Sequence, residues 1–213
     1  MSPIKDFLTK VILKSKQNLK RDLTGSSSIR EIGMILKKRG RIFDTDTRVM
    51  DVEKSIDMPV IKGHTLEGTQ VEITTDSVYS RNKVTVVKIS CSQLGTEYAA
   101  PYKCPEDVLC VNVHLMVGRL KGTLLYKLIM NQLTEEYNNK KLILDSNTKE
   151  LLVVCRYDRM SDFEPIGAVN RYGGYVYLVD QQGKARWRAC GEASNEDLNH
   201  FKTAIDELRA SRE

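Results

Sequence analysis

The 213-residue chain lacks most of what would mark it as secreted, membrane-spanning or metal-dependent. It has no Asn-x-Ser/Thr glycosylation acceptor. Its five cysteines (Cys91, Cys104, Cys110, Cys155, Cys190) contain no Cys-x-x-Cys pair and form no even framework. Both features argue against a disulfide-stapled extracellular protein and for a reducing compartment. No apolar run approaches the roughly 18 residues that a transmembrane helix needs, so any membrane contact is expected to be peripheral. The three histidines, His64, His114 and His200, are scattered, and none stands at ligand spacing from a cysteine, so no metal site is expected. Gly63-His-Thr-Leu-Glu-Gly68 has the glycine spacing of a phosphate-binding loop. Thr69-Gln70 follow it in place of Lys-Ser/Thr, so no ammonium would reach a phosphate. Gly-x-Ser-x-Gly, His-Glu-x-x-His and Gly-x-Gly-x-x-Gly are all missing.

What is present is a charge asymmetry. Residues 1–43 carry eleven Lys/Arg and three acids, a net +8, which leaves −3 on the rest of the chain. Within residues 4–19, Ile4, Phe7, Leu8, Val11, Ile12 and Leu19 fall mostly at helical spacing, with lysines on much of the remaining surface. A basic amphipathic helix over residues 1–23 has three readings. It is a mitochondrial presequence, a helix lying on an anionic membrane through Phe7, Lys10, Val11 and Lys14, or a helix packed on the domain. Thr24–Ser28 has linker composition, and residues 24–68 are expected to form a linker and an irregular arm. Lys37-Lys-Arg-Gly-Arg41 is a short basic run of the nucleic-acid type. Such runs are usually solvated, and no nucleic-acid partner is expected.

Regular structure is expected from residue 69 onward. Val71 and Ile73 suit a short strand, and Val84–Ile89 and Val108–Val113 suit buried strands. The spacing of Leu120, Leu124, Leu125, Leu128, Ile129 and Leu133 predicts a long amphipathic helix ending near Tyr137. Leu142–Leu144 and Leu151–Cys155 are further apolar runs, and 161–169 suits a helix limited by Pro165. Gly174–Asp180 and Gly183–Cys190 flank a polar turn and read as a β-hairpin. Ser194 and Asp197 form a capping-box pair that opens a terminal helix. The order β-α-β followed by β-β-α predicts an α/β, thioredoxin-like mixed sheet flanked by helices over residues 69–213.

That plan invites a redox reading centred on Cys91, in the loop after the first central strand. Cys91 lies only two residues past Ile89 and has no second cysteine at Cys-x-x-Cys spacing, so a small side chain near the strand end is favoured over a peroxidase-like site. Strand alternation places Ala185, Trp187 and Ala189 on one face of the second hairpin strand, opposite Lys184, Arg186 and Arg188. Tyr175 and Tyr177 share a face of the first. Tyr175, Tyr177, Arg186, Trp187 and Arg188 are therefore the candidate partner-binding residues. The alternative is a cationic edge that discourages strand-to-strand aggregation.

Gly174-Tyr-Val-Tyr-Leu-Val-Asp180, Arg186-Trp187 and Gly191-Glu-Ala193 together resemble the mitochondrial ATP synthase assembly factors that chaperone subunit a (subunit 6). The resemblance runs from about Val60 to Leu208 and takes in both central strands and Asn170. It departs at Gly173 and Ala185, where branched apolar residues are common in the family. It implies a thioredoxin-like fold without redox cysteines and a peripheral position on the matrix side of the mitochondrial inner membrane. It further implies a non-enzymatic activity, with no cofactor: binding a hydrophobic client, subunit a, and promoting its incorporation into the F1Fo ATP synthase.

Overall fold

The computed structural model describes residues 38–117, 149–157, 160–170 and 172–211, with Asn131, Thr134 and Glu135 between them. The basic helix expected over 1–23, with Phe7, Lys10, Val11 and Lys14, lies outside the described residues. So do the Thr24–Ser28 linker, the 142–144 run and most of the helix expected over 120–137.

Eight strands form one mixed sheet: β1 (Ile56–Asp57), β2 (Ile61–His64), β3 (Gln70–Ile73), β4 (Thr85–Ser90), β5 (Leu109–Val117), β6 (Glu150–Tyr157), β7 (Gly174–Val179) and β8 (Lys184–Cys190). Their order is β1-β8-β7-β4-β5-β6-β2-β3. The pairs β4/β5 and β5/β6 are parallel, whereas β7 is antiparallel to both β4 and β8. The described helices are α1 (Gln93–Ala99), between β4 and β5, and α2 (Asn195–Ala210), after β8. This is the β-α-β plus β-β-α plan expected from the sequence.

The β-branched run Thr85-Val-Val-Lys-Ile-Ser90 becomes β4 in the middle of the sheet, as its composition favours. Ser92 caps α1 by accepting from Gly95 N–H at 3.1 Å. Ser194 and Asp197 form the expected reciprocal capping box on α2. Residues 160–166 form a 3-10 helix with Pro165 inside it, in place of the longer helix suggested by the sequence.

Two apolar clusters sandwich the sheet. One holds Val87, Ile89, Val111, Val113, Tyr175 and Tyr177, covered by Phe163, Ile166, Phe43 and residues of the β2–β3 hairpin. The other holds Val86, Val176, Leu178 and Trp187 under Phe201, Ile205 and Leu208 of α2. Phe201 and Tyr102 meet the Trp187 indole with ring centroids 5.5 and 6.1 Å away. β7 is consequently buried on both faces along its whole length.

The stretch 44–68 is more ordered than an irregular arm. Ile56 and Asp57 pair with Ala185 and Lys184 at one edge of the sheet, and a few residues later His64 pairs with Val154 near the other edge. The phosphate-loop-like Gly63–Gly68 is the end of β2 and its turn into β3, closed by hydrogen bonds between Thr65 and Thr69.

Candidate functional site

The residues singled out on the hairpin converge, and they do so around a strap formed by residues 39–50. Asp46 N–H donates to Arg188 C=O at 3.0 Å, and Arg188 N–H donates back to Asp46 Oδ2 at 2.9 Å. Met50 N–H donates to Arg186 C=O at 2.7 Å, and Arg186 Nε donates to Met50 C=O at 2.7 Å. Trp187 Nε1 donates to Asp46 C=O at 2.6 Å. Further along, Ile42 and Phe43 N–H donate to Cys190 Sγ, whose own S–H donates to Phe43 C=O at 3.2 Å. Arg41 pairs with Asp197 of the α2 capping box, and Glu192 N–H donates to Arg39 C=O at 2.8 Å. Arg39 and Arg41, read as part of a basic run, are thus tied into the domain at the start of the strap.

The side chains are arranged by a β-bulge. Leu178 pairs with Trp187 and Val179 with Ala185, so Arg186 is the extra residue on β8. Ala185 therefore packs with Val179 in the Tyr175/Tyr177 cluster, while Trp187 and Ala189 sit in the cluster under α2. This corrects the simple alternation that put Ala185, Trp187 and Ala189 on one face.

Tyr175, Tyr177 and Trp187 are each 0% exposed. The Tyr175 hydroxyl donates to Asn170 C=O at 3.0 Å and accepts from Asn170 N–H at 2.9 Å; the Tyr177 hydroxyl donates to Ile166 C=O at 3.0 Å. A partner does not reach these three rings in this conformation: they hold the loop 166–170 and the strap. The arginines are only partly covered. Arg186 pairs with Asp180 at 3.0 Å, with side-chain exposures of 15% and 8%. Asp180 also closes the hairpin turn by accepting from Gln182 and Lys184 N–H. Arg188 lies 3.6 Å from Asp46 and 4.8 Å over the Phe43 ring. The strap itself was not found by sequence reasoning.

Cys91 follows β4 directly, half-buried, just before the Ser92 cap of α1. The neighbouring Ser90 hydroxyl lies 3.0 Å from Thr96 Oγ1 and 3.5 Å from His114 Nδ1. All five cysteines are thiols. Burial pushes Cys155 up to about 12, and burial raises Cys190 although the Phe43 and Ile42 backbone opposes it. A hydrogen bond with Cys110, together with burial, raises Cys104. Thiolate chemistry is disfavoured at those three positions. No group of His, Cys, Asp and Glu suited to a metal occurs among the described residues, and none of their helices is long and apolar enough to cross a membrane.

Strand order, the parallel β4–α1–β5 unit and the closing β7–β8–α2 unit define a thioredoxin-like domain. Residues 2–208 match the family described as ATP10 protein, and the chain belongs to that family. It is 23% identical to the mitochondrial ATPase complex subunit ATP10 of Candida glabrata, over 85% of this chain and 67% of that protein. Against the Saccharomyces cerevisiae protein of the same name it is 22% identical over 79% of this chain and 65% of the relative. The chain thus spans about two thirds of the length of these curated relatives. Among solved structures it is similar to BsSco, a member of the Sco family of cytochrome c oxidase assembly proteins (TM-score 0.49, 11% identity, 76% of this chain and 99% of that one). A DsbF homologue from Corynebacterium diphtheriae is also similar (TM-score 0.47, 12% identity, 75% and 90%).

Proposed function

We propose that this protein is a non-enzymatic assembly chaperone of the mitochondrial F1Fo ATP synthase, binding subunit a (subunit 6) until that subunit enters the membrane sector. The family match across residues 2–208 carries this reading, and the relatives' names supply the complex. The choice of subunit a rests on the hairpin residues that resemble its chaperones. Helices of an unassembled membrane subunit present polar and small-residue faces without their partners, which is costly in lipid. A peripheral protein on the matrix side of the inner membrane relieves this by covering matrix-exposed loops and helix ends.

In this reading the strap has a mechanical role. It fixes residues 39–50 along β8, with Arg39 and Arg41 held beside Glu192 and Asp197. Phe7, Lys10, Val11 and Lys14 would then meet anionic lipid, each cation near the surface contributing about 1 kcal/mol. The buried hairpin aromatics and the paired Arg186 and Arg188 act on the client indirectly, by holding the strap and the loop 166–170 in shape.

One observation keeps a second reading in view. Cys91 stands at the end of β4, before α1, where a thioredoxin-fold thiol works. Cells lacking the protein should accumulate ATP synthase without subunit a, seen on native gels, and a Cys91→Ser variant should restore assembly fully. Failure of Cys91→Ser, with the variant present at normal abundance, would favour a peroxidase-like enzyme.

A further inference from the structure

At the opposite end of the sheet from Cys91 lies a cleft of about 400 Å³, lined by residues just before β4, β5 and β6 and near the end of α2. Its apolar floor is Val84 and Val108, each 3% exposed. Its walls carry Arg81, Lys83, Lys149 and Arg209 against one acid, Asp107. The cations differ in kind. Arg209 pairs with Asp107 and also lies 3.7 Å from Asp206, so it is neutralised and serves as structure. Lys83 Nζ donates to Arg209 C=O at 3.3 Å, placing its ammonium at the carbonyl end of α2. Arg81, Lys83 and Lys149 make no ion pair among the described residues, although Asp, Glu and Lys pair widely elsewhere on this surface.

Three cations without a carboxylate partner among the described residues line one concavity and repel each other, and a cleft with low-dielectric walls focuses their field. Such an arrangement is stabilised by a multiply charged anion. Guanidinium and ammonium groups side by side suit phosphate oxygens, the first as a fork and the second as a point charge. The volume lies within the range of small-molecule sites. We propose that the cleft between Arg81, Lys83 and Lys149 binds a phosphate-bearing anion, either a free phosphoester or the phosphate headgroup of a lipid. The inference stands on the cleft alone and holds whichever client the protein serves.

The test uses the full chain with two probes: inorganic pyrophosphate, by titration calorimetry, and phosphatidylcholine vesicles containing phosphatidic acid, by flotation. Lys83→Glu/Lys149→Glu is compared with Lys54→Glu/Lys202→Glu, which changes net charge equally at exposed lysines outside the cleft. A tenfold or greater weakening on either probe is expected in the cleft variant, with the control within twofold of the parent chain. Loss on pyrophosphate assigns the free phosphoester, and loss on vesicles assigns the lipid headgroup. The vesicle comparison also removes any contribution from the basic amino-terminal segment, which both variants keep. Should the charge reversal disturb folding, Lys83→Gln/Lys149→Gln is the substitute. Equal binding by parent and cleft variant on both probes, equal weakening in the control, or no binding of either probe by the parent chain would overturn the proposal.

Discussion

Trp187 Nε1 donates to the backbone carbonyl of Asp46 at 2.6 Å, joining the floor of the core under α2 to the strap that crosses the hairpin. Its ring is fully buried between Tyr102 and Phe201. One side chain therefore fixes both the packing of α2 and the course of the strap. Trp187→Ala should cost about 3–5 kcal/mol, and Trp187→Phe less, through the orphaned Asp46 carbonyl and the lost volume. Denaturant unfolding gives both values. In cells each variant should lower abundance, and because both release the strap each should also lower assembly activity per molecule, Trp187→Ala more than Trp187→Phe.

Gly95 of α1 and Gly174 at the start of β7 touch backbone to backbone. A Cβ on either would overlap the carbonyl of Gly173 or Gly95. Gly95→Ala or Gly174→Ala is expected to cost about 3 kcal/mol or more, the upper end of overpacking, because backbone cannot yield as a side chain can. Gly68, at φ +85 with open space around it, should lose only about 1–2 kcal/mol on replacement by Ala. Thermal unfolding of the three variants should rank them in that order.

The layout of the core was legible in the sequence because it is written in runs rich in apolar and β-branched residues. Thr85–Ser90, Leu109–Val117 and Gly174–Val179 are central strands, the last buried on both sides, and a capping box announces α2. Among the outer strands, β3 was legible in Val71 and Ile73, whereas β1 and β2 were not. Ile56–Asp57 is two residues long, and Ile61-Lys-Gly-His64 carries a glycine and a lysine. Gly63 is there for packing: a Cβ would come within 2.6 Å of Val153 Cγ1 and 2.7 Å of Cys155 Sγ. The bulge at Arg186 was hidden too, because alternation counts residues and cannot see one extra. That slip, with the double covering of β7, is why the hairpin's aromatic residues are core and its arginines hold a strap.

Asp197 and Asp46 should bend the acid limb of stability in opposite directions. Burial raises the Asp197 pKa, but hydrogen bonds from the Ser194 backbone and hydroxyl and the charge of Arg41 outweigh it and hold it below the ordinary value. Its contribution is therefore complete above the unfolded carboxylate value of about 4 and is lost as pH falls through the lower folded value. Burial raises Asp46 despite Arg188 beside it. Protonation of Asp46 thus favours the folded state as pH falls through its raised value. Asp197→Asn should flatten the loss of stability in acid, and Asp46→Asn should steepen it. Denaturant midpoints between pH 3 and 6 measure both slopes.

Thiol accessibility follows burial. Cys110, Cys155 and Cys190 are buried, and the last two carry raised pKa values. Native alkylation with iodoacetamide at pH 8 should spare all three, which should react together only on unfolding. Mass spectrometry of the native and unfolded protein reads this directly. Rapid native labelling of Cys155 or Cys190 would show that the sheet opens far more readily than its packing implies.

The account rests on capture of a protein client. Photo-crosslinkers placed at exposed positions of the domain, in intact mitochondria with pulse-labelled translation products, should join this protein to newly made subunit a and lose it once the complex is assembled. If subunit a is never captured, while assembly still depends on the protein and its abundance is normal, the chaperone reading is contradicted.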